Sequence, residues 1–195
     1  MSSTNRSDSR DEHISDFYVT PLNPIKDFLN KFEQVHPEFK DLQTSVILDP
    51  CAGGDDTHEM SYPKVLKLYG YENIHTMDIR DSSKADIIDN YLFNFEVKNK
   101  FDVIITNPPF NIALDIINKA LSDIKDDGYV VMLLRLNFFG SKSRKEFFQT
   151  NMPNYCFVHS KRISFLDNGK ADSIEYGHYV WKKNEKVDYT KLYLI

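Results

Sequence analysis

Short apolar, β-branched runs alternate along this chain with segments of helical period. "TSVILD" (44–49), "NIHTMDI" (73–79), "DVIIT" (102–106) and "YVVMLL" (129–134) read as strands, with "ADII" (85–88) a weaker one between the second and the fourth. A strand with one face in water alternates apolar and polar residues; runs as continuous as "DVIIT" and "YVVMLL" are covered on both sides. Between them, "SYPKVLKLYG" has Pro63 where a helix's first turn tolerates a missing N–H and Gly70 where a helix stops. "IALDIINKALSDI" (112–124) places Ile112, Leu114, Ile116, Ile117, Ala120, Leu121 and Ile124 on or near one helical face. The order β-α-β-(α)-β-α-β-α-β predicts an α/β domain with a mostly parallel sheet and helices on both faces.

Upstream, "PIKDFLNKFEQVHP" spaces Ile25, Phe28, Leu29 and Phe32 for an amphipathic helix over about 24–35. Downstream, "KSRKEFFQT" reads as a short basic helix, "YCFVH" and "YGHYVW" as late strands, and 167–177 as a loop. The first 15 residues are polar and charged, without an apolar stretch, and are expected to be a disordered leader rather than a secretory signal. The remainder, 16–195, is expected to be one domain. No run approaches the roughly 18 apolar residues of a membrane helix.

Two cysteines, Cys51 and Cys156, with no CxxC and no clustered histidines, argue against a zinc site or a disulfide framework and suit the cytoplasm. The net charge of -5 does not advertise nucleic-acid binding, but it is unevenly spread. Residues 135–195 hold eleven Lys and Arg against six Asp and Glu, whereas 1–134 hold thirteen against twenty-three. That asymmetry is read either as a basic face or as ordinary solvated surface.

Open α/β sheets bind ligands beyond the carboxyl ends of their strands. Three such ends carry unusual chemistry. The first runs into Asp49-Pro50-Cys51-Ala52-Gly53-Gly54-Asp55, whose small residues let backbone N–H groups approach a ligand; as a tight turn alone the stretch would be unremarked. The second ends at Asp78, 29 residues after Asp49, against a spacing of about 20 in dinucleotide folds. An acid there suits both hydroxyls of a ribose, or else a surface pair with Arg80. The third is "FDVIITNPPF". Each residue before a proline is pushed into extended conformations, so Asn107 and Pro108 are held there, and the prolines offer no N–H. Acceptors therefore converge beside the Phe110 ring, an array suited to a planar ring with an exocyclic NH₂.

Together, "DPCAGGD", Asp78 and "NPPF" after "DVIIT" resemble the S-adenosylmethionine-dependent amino-methyltransferases of the DNA adenine-N6 type, in the order that puts cofactor motifs before the catalytic motif. "DFYVTP" (16–21) is similar to that family's N-terminal motif. "YPKVLKLYGYENIHTMDIRD" and "RISFLDNGKADSIEYGHYVW" resemble the small versions encoded by bacteriophages. The resemblance spans roughly 16–183 and implies a Rossmann-like methyltransferase fold: a seven-stranded sheet with an antiparallel late strand. It implies S-adenosylmethionine as cofactor, bordered by Tyr18, Thr20 and Pro21. Asp49, Ala52 and Gly53 would form its methionine pocket and Asp78 would hold its ribose. Ile79 would pack on its adenine, with Asp89 or else Asp86 facing the adenine amine. Asn107, Pro108, Pro109 and Phe110 would be catalytic. The Asn107 side-chain oxygen and the Pro108 carbonyl would accept from the target N6–H, while Phe110 would stack on the flipped base.

Members that read duplex sequence carry an added recognition region, for which about 60 residues after the fifth strand leave little room. Lys142, Arg144, Lys145, Lys161 and Arg162 are the candidate phosphate contacts. Low sequence specificity, a short site, a recruiting partner or a dimer is the expected consequence, and RNA is an alternative substrate. Asn-Pro-Pro-Tyr serves protein glutamine methylation, so that activity is a second alternative, and a catalytically silent cofactor-binding subunit is a third. Cytosine-N4 enzymes generally carry Ser at the Asn107 position.

Overall fold

The computed structural model describes residues 19–38, 44–165 and 173–195; the expected leader over 1–15, and Tyr18, lie outside these. The first helix, α1, covers Leu22–Val35 and buries Ile25, Phe28, Leu29 and Phe32, the i, i+3, i+4, i+7 stripe that the sequence carries. Phe28 stacks on Phe32 with ring centroids 5.3 Å apart.

The strands are β1 (Ile47–Asp49), β2 (Ile74–Asp78), β3 (Ile87–Ile88), β4 (Val103–Thr106), β5 (Tyr129–Arg135), β6 (Tyr155–Val158), β7 (Tyr176–Lys182) and β8 (Lys191–Leu194). Helix α2 covers Ser61–Leu68, α3 covers Ala113–Asp123, and α4 covers Lys145–Thr150, preceded by a 3-10 turn over Lys142–Arg144. They form one sheet in the order β3-β2-β1-β4-β5-β7-β6-β8. Only β7 is antiparallel to its neighbours, β5 and β6; every other pairing is parallel. The architecture is the expected α/β one, a mostly parallel sheet with helices on both faces.

The sheet has eight strands, not the expected seven. The missed strand, β8, pairs in parallel with β6 at the edge of the sheet. Its sequence, KLYL, is short and half-polar, and Leu192 and Leu194 remain exposed. No burial period marks such a strand in sequence. At the opposite edge β3 is two residues long, and a side chain substitutes for ladder length. Asp86 accepts from the Thr76 N–H at 2.9 Å and the Thr76 hydroxyl at 2.8 Å, while its own N–H donates back to that hydroxyl at 2.8 Å.

Helix α2 ends where Gly70 predicts. Gly70 has φ +87°, its N–H donates to Lys67, and the Tyr71 N–H reaches back to Leu66, both at 3.1 Å. This is the Schellman pattern, and Leu66 and Tyr71 share one apolar cluster, as the motif favours.

Alternation along each central strand sends residues to two cores. Ile104, Val130, Met132, Leu134, Tyr179 and Trp181 face α3 and α4. Val103, Ile105, Tyr129, Val131, Phe157 and Val180 face α1 and α2. Each fully buried large side chain contributes roughly 1.5–3 kcal/mol. From β1 the chain runs outward to β2 and β3, then returns to β4 on β1's other side. That reversal opens a crevice at the carboxyl ends of β1 and β4.

Candidate active site

The loop after β1 is closed down onto the end of β2. Asp49 is 1% exposed and accepts from the Cys51 N–H at 3.3 Å. The Ala52 N–H donates to the Met77 carbonyl at 2.9 Å, and the Gly53 N–H to Asp78 Oδ2 at 2.8 Å. Gly53 and Gly54 have φ +66° and +73°, a region costly to any residue with a Cβ. A Cβ on Gly54 would also stand 2.5 Å from Met60 Cγ. Ser83, unmarked by the sequence, donates its hydroxyl to the Gly53 carbonyl at 2.5 Å.

Burial pushes the Asp49 carboxyl up to about 7; the neighbouring Asp78 charge adds to the rise, and the Cys51 N–H opposes it. Asp78 itself is only 6% exposed. Its Oδ1 accepts from the Arg80 backbone N–H at 2.9 Å and from Arg80 Nε at 3.0 Å. The pairing with Arg80 is present, but it is inside the protein rather than on a surface loop. Arg80 also reaches the Gly54 carbonyl at 3.3 Å, tying the acid to the glycine loop.

Beyond β2, Ile79 is half exposed. The Asp89 N–H bonds the Asp78 carbonyl at 3.0 Å, which brings Asp89 beside the ribose candidate. Its carboxylate accepts from the Asn90 N–H at 2.7 Å and from Asn94 Nδ2 at 2.8 Å. Asp86, the alternative, is committed to Thr76.

At the end of β4, Asn107 is half-buried. Its Nδ2 donates to the Thr20 hydroxyl at 3.0 Å, joining the loop before α1 to the strand end. Pro21 follows as the residue before α1. The Asn107 Oδ1 is buried and has no hydrogen-bond partner among the described residues. Leaving a buried acceptor unsatisfied costs roughly 1–3 kcal/mol. Pro108 is buried, and the Pro109 carbonyl accepts from the Ile112 N–H at 3.2 Å, turning the chain into α3. Phe110 is half-buried against Leu133, Ile163 and Tyr176.

The basic residues divide. Lys142, Lys145 and Lys161 are exposed. Arg144 donates to the carbonyls of Phe138 at 2.7 Å and Asn137 at 3.3 Å, with its guanidinium 4.4 Å from the Phe138 ring centre. It fastens the turn that follows β5. Arg162 pairs with Glu175 at 3.0 Å.

Two histidines far apart in sequence meet in the fold. His178 Nδ1 lies 2.9 Å from His159 Nε2, and His178 Nε2 lies 3.0 Å from the Tyr62 hydroxyl. Burial lowers the His159 pKa to about 4 and drives His178 well below its ordinary value, with His159 adding to the latter. Nineteen positions separate them in sequence, and only the β6–β7 pairing brings them together. Among the described residues, no group of three or more His, Cys, Asp or Glu could hold a metal ion. Nor is any helix among them long and apolar enough to cross a membrane.

No protein-family model and no curated protein matches the sequence. Solved structures do. A putative class I S-adenosylmethionine-dependent methyltransferase from Listeria monocytogenes matches at 15% identity and TM-score 0.61, over 91% of this chain and 65% of its own. A putative RNA methyltransferase from Pyrococcus horikoshii matches at 17% and 0.62, over 86% and 88%. The M protein of the type I restriction enzyme EcoKI matches at 13% and 0.55, over 77% and 44%. The chain thus spans just under two thirds of the first and under half of the third. At these identities the likeness shows a common fold.

Proposed function

We propose that this protein transfers a methyl group from S-adenosylmethionine to the N6 amino group of adenine in DNA, with 16–195 as its catalytic domain. The observation that carries this reading is the Asn107 amide. Its donor half is held by Thr20, and its acceptor half is buried without a partner among the described residues, at the carboxyl end of β4. An acceptor so placed is satisfied by a ligand that brings an N–H. Methyltransferase neighbours, one of them from a restriction enzyme, support the reaction class.

The residues fit the cofactor. Asp49 is a buried carboxyl whose charge a ligand's ammonium would stabilise. The glycine loop lets the backbone approach, Asp78 offers acceptors once Arg80 gives way, and Ile79 and Asp89 border the adenine side. When bound, the cofactor supplies an electrophilic methyl on a sulfonium that leaves as a neutral thioether.

The target amine is a poor nucleophile because its lone pair is delocalised into the purine. Asn107 Oδ1 and the Pro108 carbonyl accept from N6–H more strongly as positive charge develops on nitrogen, which favours the transition state over the ground state. Pro108 and Pro109 fix those acceptors in space, and Phe110 stacks on the base to align it. Of the five candidate phosphate contacts, Lys142, Lys145 and Lys161 are exposed and make no ion pair among the described residues, so they are placed to meet phosphates. A dimer or a recruiting partner supplies what sequence specificity there is.

The test is incubation with methyl-labelled cofactor and separate pools of DNA, RNA and protein, followed by digestion. Label in N6-methyladenine from DNA is the expected result. Label in RNA or in methylglutamine moves the substrate to those alternatives, and no label anywhere makes the chain a silent subunit.

A further inference from the structure

Four arginines lie among the described residues, and three have evident internal roles. Arg80 pairs with Asp78, Arg162 pairs with Glu175, and Arg144 binds two backbone carbonyls. Arg135, the last residue of β5, has no carboxylate partner among the described residues. It is half-buried, and its Nε makes one long hydrogen bond, 3.4 Å, to the Tyr176 hydroxyl. Its guanidinium sits 4.5 Å from the centre of the Phe110 ring.

Topology puts it there. Arg135 and Tyr176 are directly opposed in the β5–β7 pairing, so both side chains leave the same face of the sheet. β5 lies beside β4, whose carboxyl end carries Asn107 and Phe110, so a residue at the end of β5 overlooks that motif. Tyr176 stands on the other strand with its ring 5.7 Å from that of Phe110. Lys161 and Arg162 follow β6 at this same end of the sheet.

A half-buried guanidinium with no carboxylate among the described residues beside it is partly desolvated, and a stacked aromatic and one long neutral hydrogen bond return only part of what water gave it. The planar fork of arginine matches a phosphate through two parallel N–H···O bonds. It is also flat enough to occupy the stacking position of a purine.

We infer that Arg135 is a positioning residue for a nucleic-acid substrate: it covers Phe110 while the site holds no base, and it moves onto a backbone phosphate beside the target nucleotide when the base stacks in its place. This rests on the adenine-methylation reading and narrows it, because a phosphodiester supplies the missing anion and a glutamine amide does not. Entry of the base and capture of the phosphate are then one event. The guanidinium leaves the ring only as an anion becomes available to it.

The test uses the full chain with Arg135→Gln and Arg135→Lys, and a single-stranded oligonucleotide containing adenine. Oligonucleotide affinity is measured by fluorescence anisotropy across a salt series, cofactor affinity by calorimetry, and methylation by kinetics. Arg135→Gln is expected to lower the salt slope of log Kd by about 0.7, the share of one phosphate contact on a single strand. It should raise the oligonucleotide KM by roughly 10-fold, with kcat changed less and cofactor affinity retained. Arg135→Lys should keep the slope, since it keeps the charge. A wild-type enzyme that methylates the oligonucleotide, with an Arg135→Gln variant of equal slope and equal KM, overturns this role and leaves the adenine reading standing. A wild-type protein that neither binds nor methylates the oligonucleotide overturns both.

Discussion

Asn107 and Thr20 stand 87 positions apart in sequence, and their side chains meet at 3.0 Å, the Asn107 Nδ2 donating to the Thr20 hydroxyl. With the donor held by Thr20, the oxygen is left without a partner among the described residues.

Replacing Thr20 with Val keeps the shape and removes that acceptor. The amide is then free to turn its NH₂ toward the substrate, where it repels N6–H. Thr20→Val should lose roughly 100-fold in kcat, the low end of the loss seen when one hydrogen bond aimed at the transition state is removed. Asn107→Ala should abolish methyl transfer. Calorimetry should find the cofactor still bound in both variants; loss of cofactor by Asn107→Ala with nothing else changed would make its role one of binding.

Asp49 gives a pH dependence with a definite sign. Its carboxyl titrates near 7 in the folded protein, against 3.8 when unperturbed, because burial disfavours the charge. Between those values the folded chain binds more protons than the unfolded one, so this group's contribution to stability falls as pH rises from about 4 to about 7. Asp49→Asn should therefore raise the thermal midpoint at pH 8, and it should weaken cofactor binding. For the wild type, cofactor affinity should increase from pH 6 to pH 8, with proton release visible as a buffer-dependent binding enthalpy.

The histidine pair pulls the other way. Burial lowers His159 from 6.5 to about 4 and drives His178 well below its ordinary value. Over that window the unfolded chain holds more protons, so their contribution to stability is present above about 6.5 and is lost as pH falls through about 4. Two histidines outweigh the one carboxyl between about pH 5 and 6.5, so these groups together should make wild-type stability rise with pH there. His159→Gln leaves one group of each kind and should flatten that rise in a denaturant titration repeated at each pH.

Asp78 holds loop and ligand together. Asp78→Ala removes the acceptor for the Gly53 N–H and the partner of the half-buried Arg80 side chain. Breaking one side of such a pair costs on the order of 3 kcal/mol. The variant should melt lower and bind the cofactor more weakly; unchanged affinity would assign the ribose to another acid.

For nucleic acid, the triple replacement of Lys142, Arg144 and Lys145 should lower affinity and flatten its salt dependence. Arg144 is turned inward on Phe138, so the slope should fall by about two contacts' share rather than three, close to 1.8 on duplex at ~0.9 each. The parent's slope in the variant would return these lysines to ordinary surface.

What the sequence disclosed and what it withheld divide along a physical line. The burial stripe of α1, the stop at Gly70 and the strand ending in Asn107-Pro108-Pro109 are local patterns, and each stands where its pattern places it. The Thr20–Asn107 bond, the His159–His178 contact and the Arg135–Phe110 stack are products of strand register and crossover, which leave no mark on adjacent residues. β8 escaped for a different reason. An edge strand in contact with one neighbour has little apolar period to show. Ser83 and Arg80 close the glycine loop, yet an isolated serine and an arginine beside an acid are too common to signal it.

The position of β7 has a consequence for how the molecule is made. It is the next-to-last strand in the chain, yet it lies inside the sheet between β5 and β6. Until residues 176–182 arrive, β5 presents a bare apolar edge, open to pairing with another chain. The long-range closure that follows is slow compared with local helix formation. On the ribosome, the half of the protein with the cofactor loop and Asn107 therefore waits, sticky and incomplete, for residues 176–182. Heat or truncation that frees β7 should produce aggregates before it produces a soluble unfolded chain.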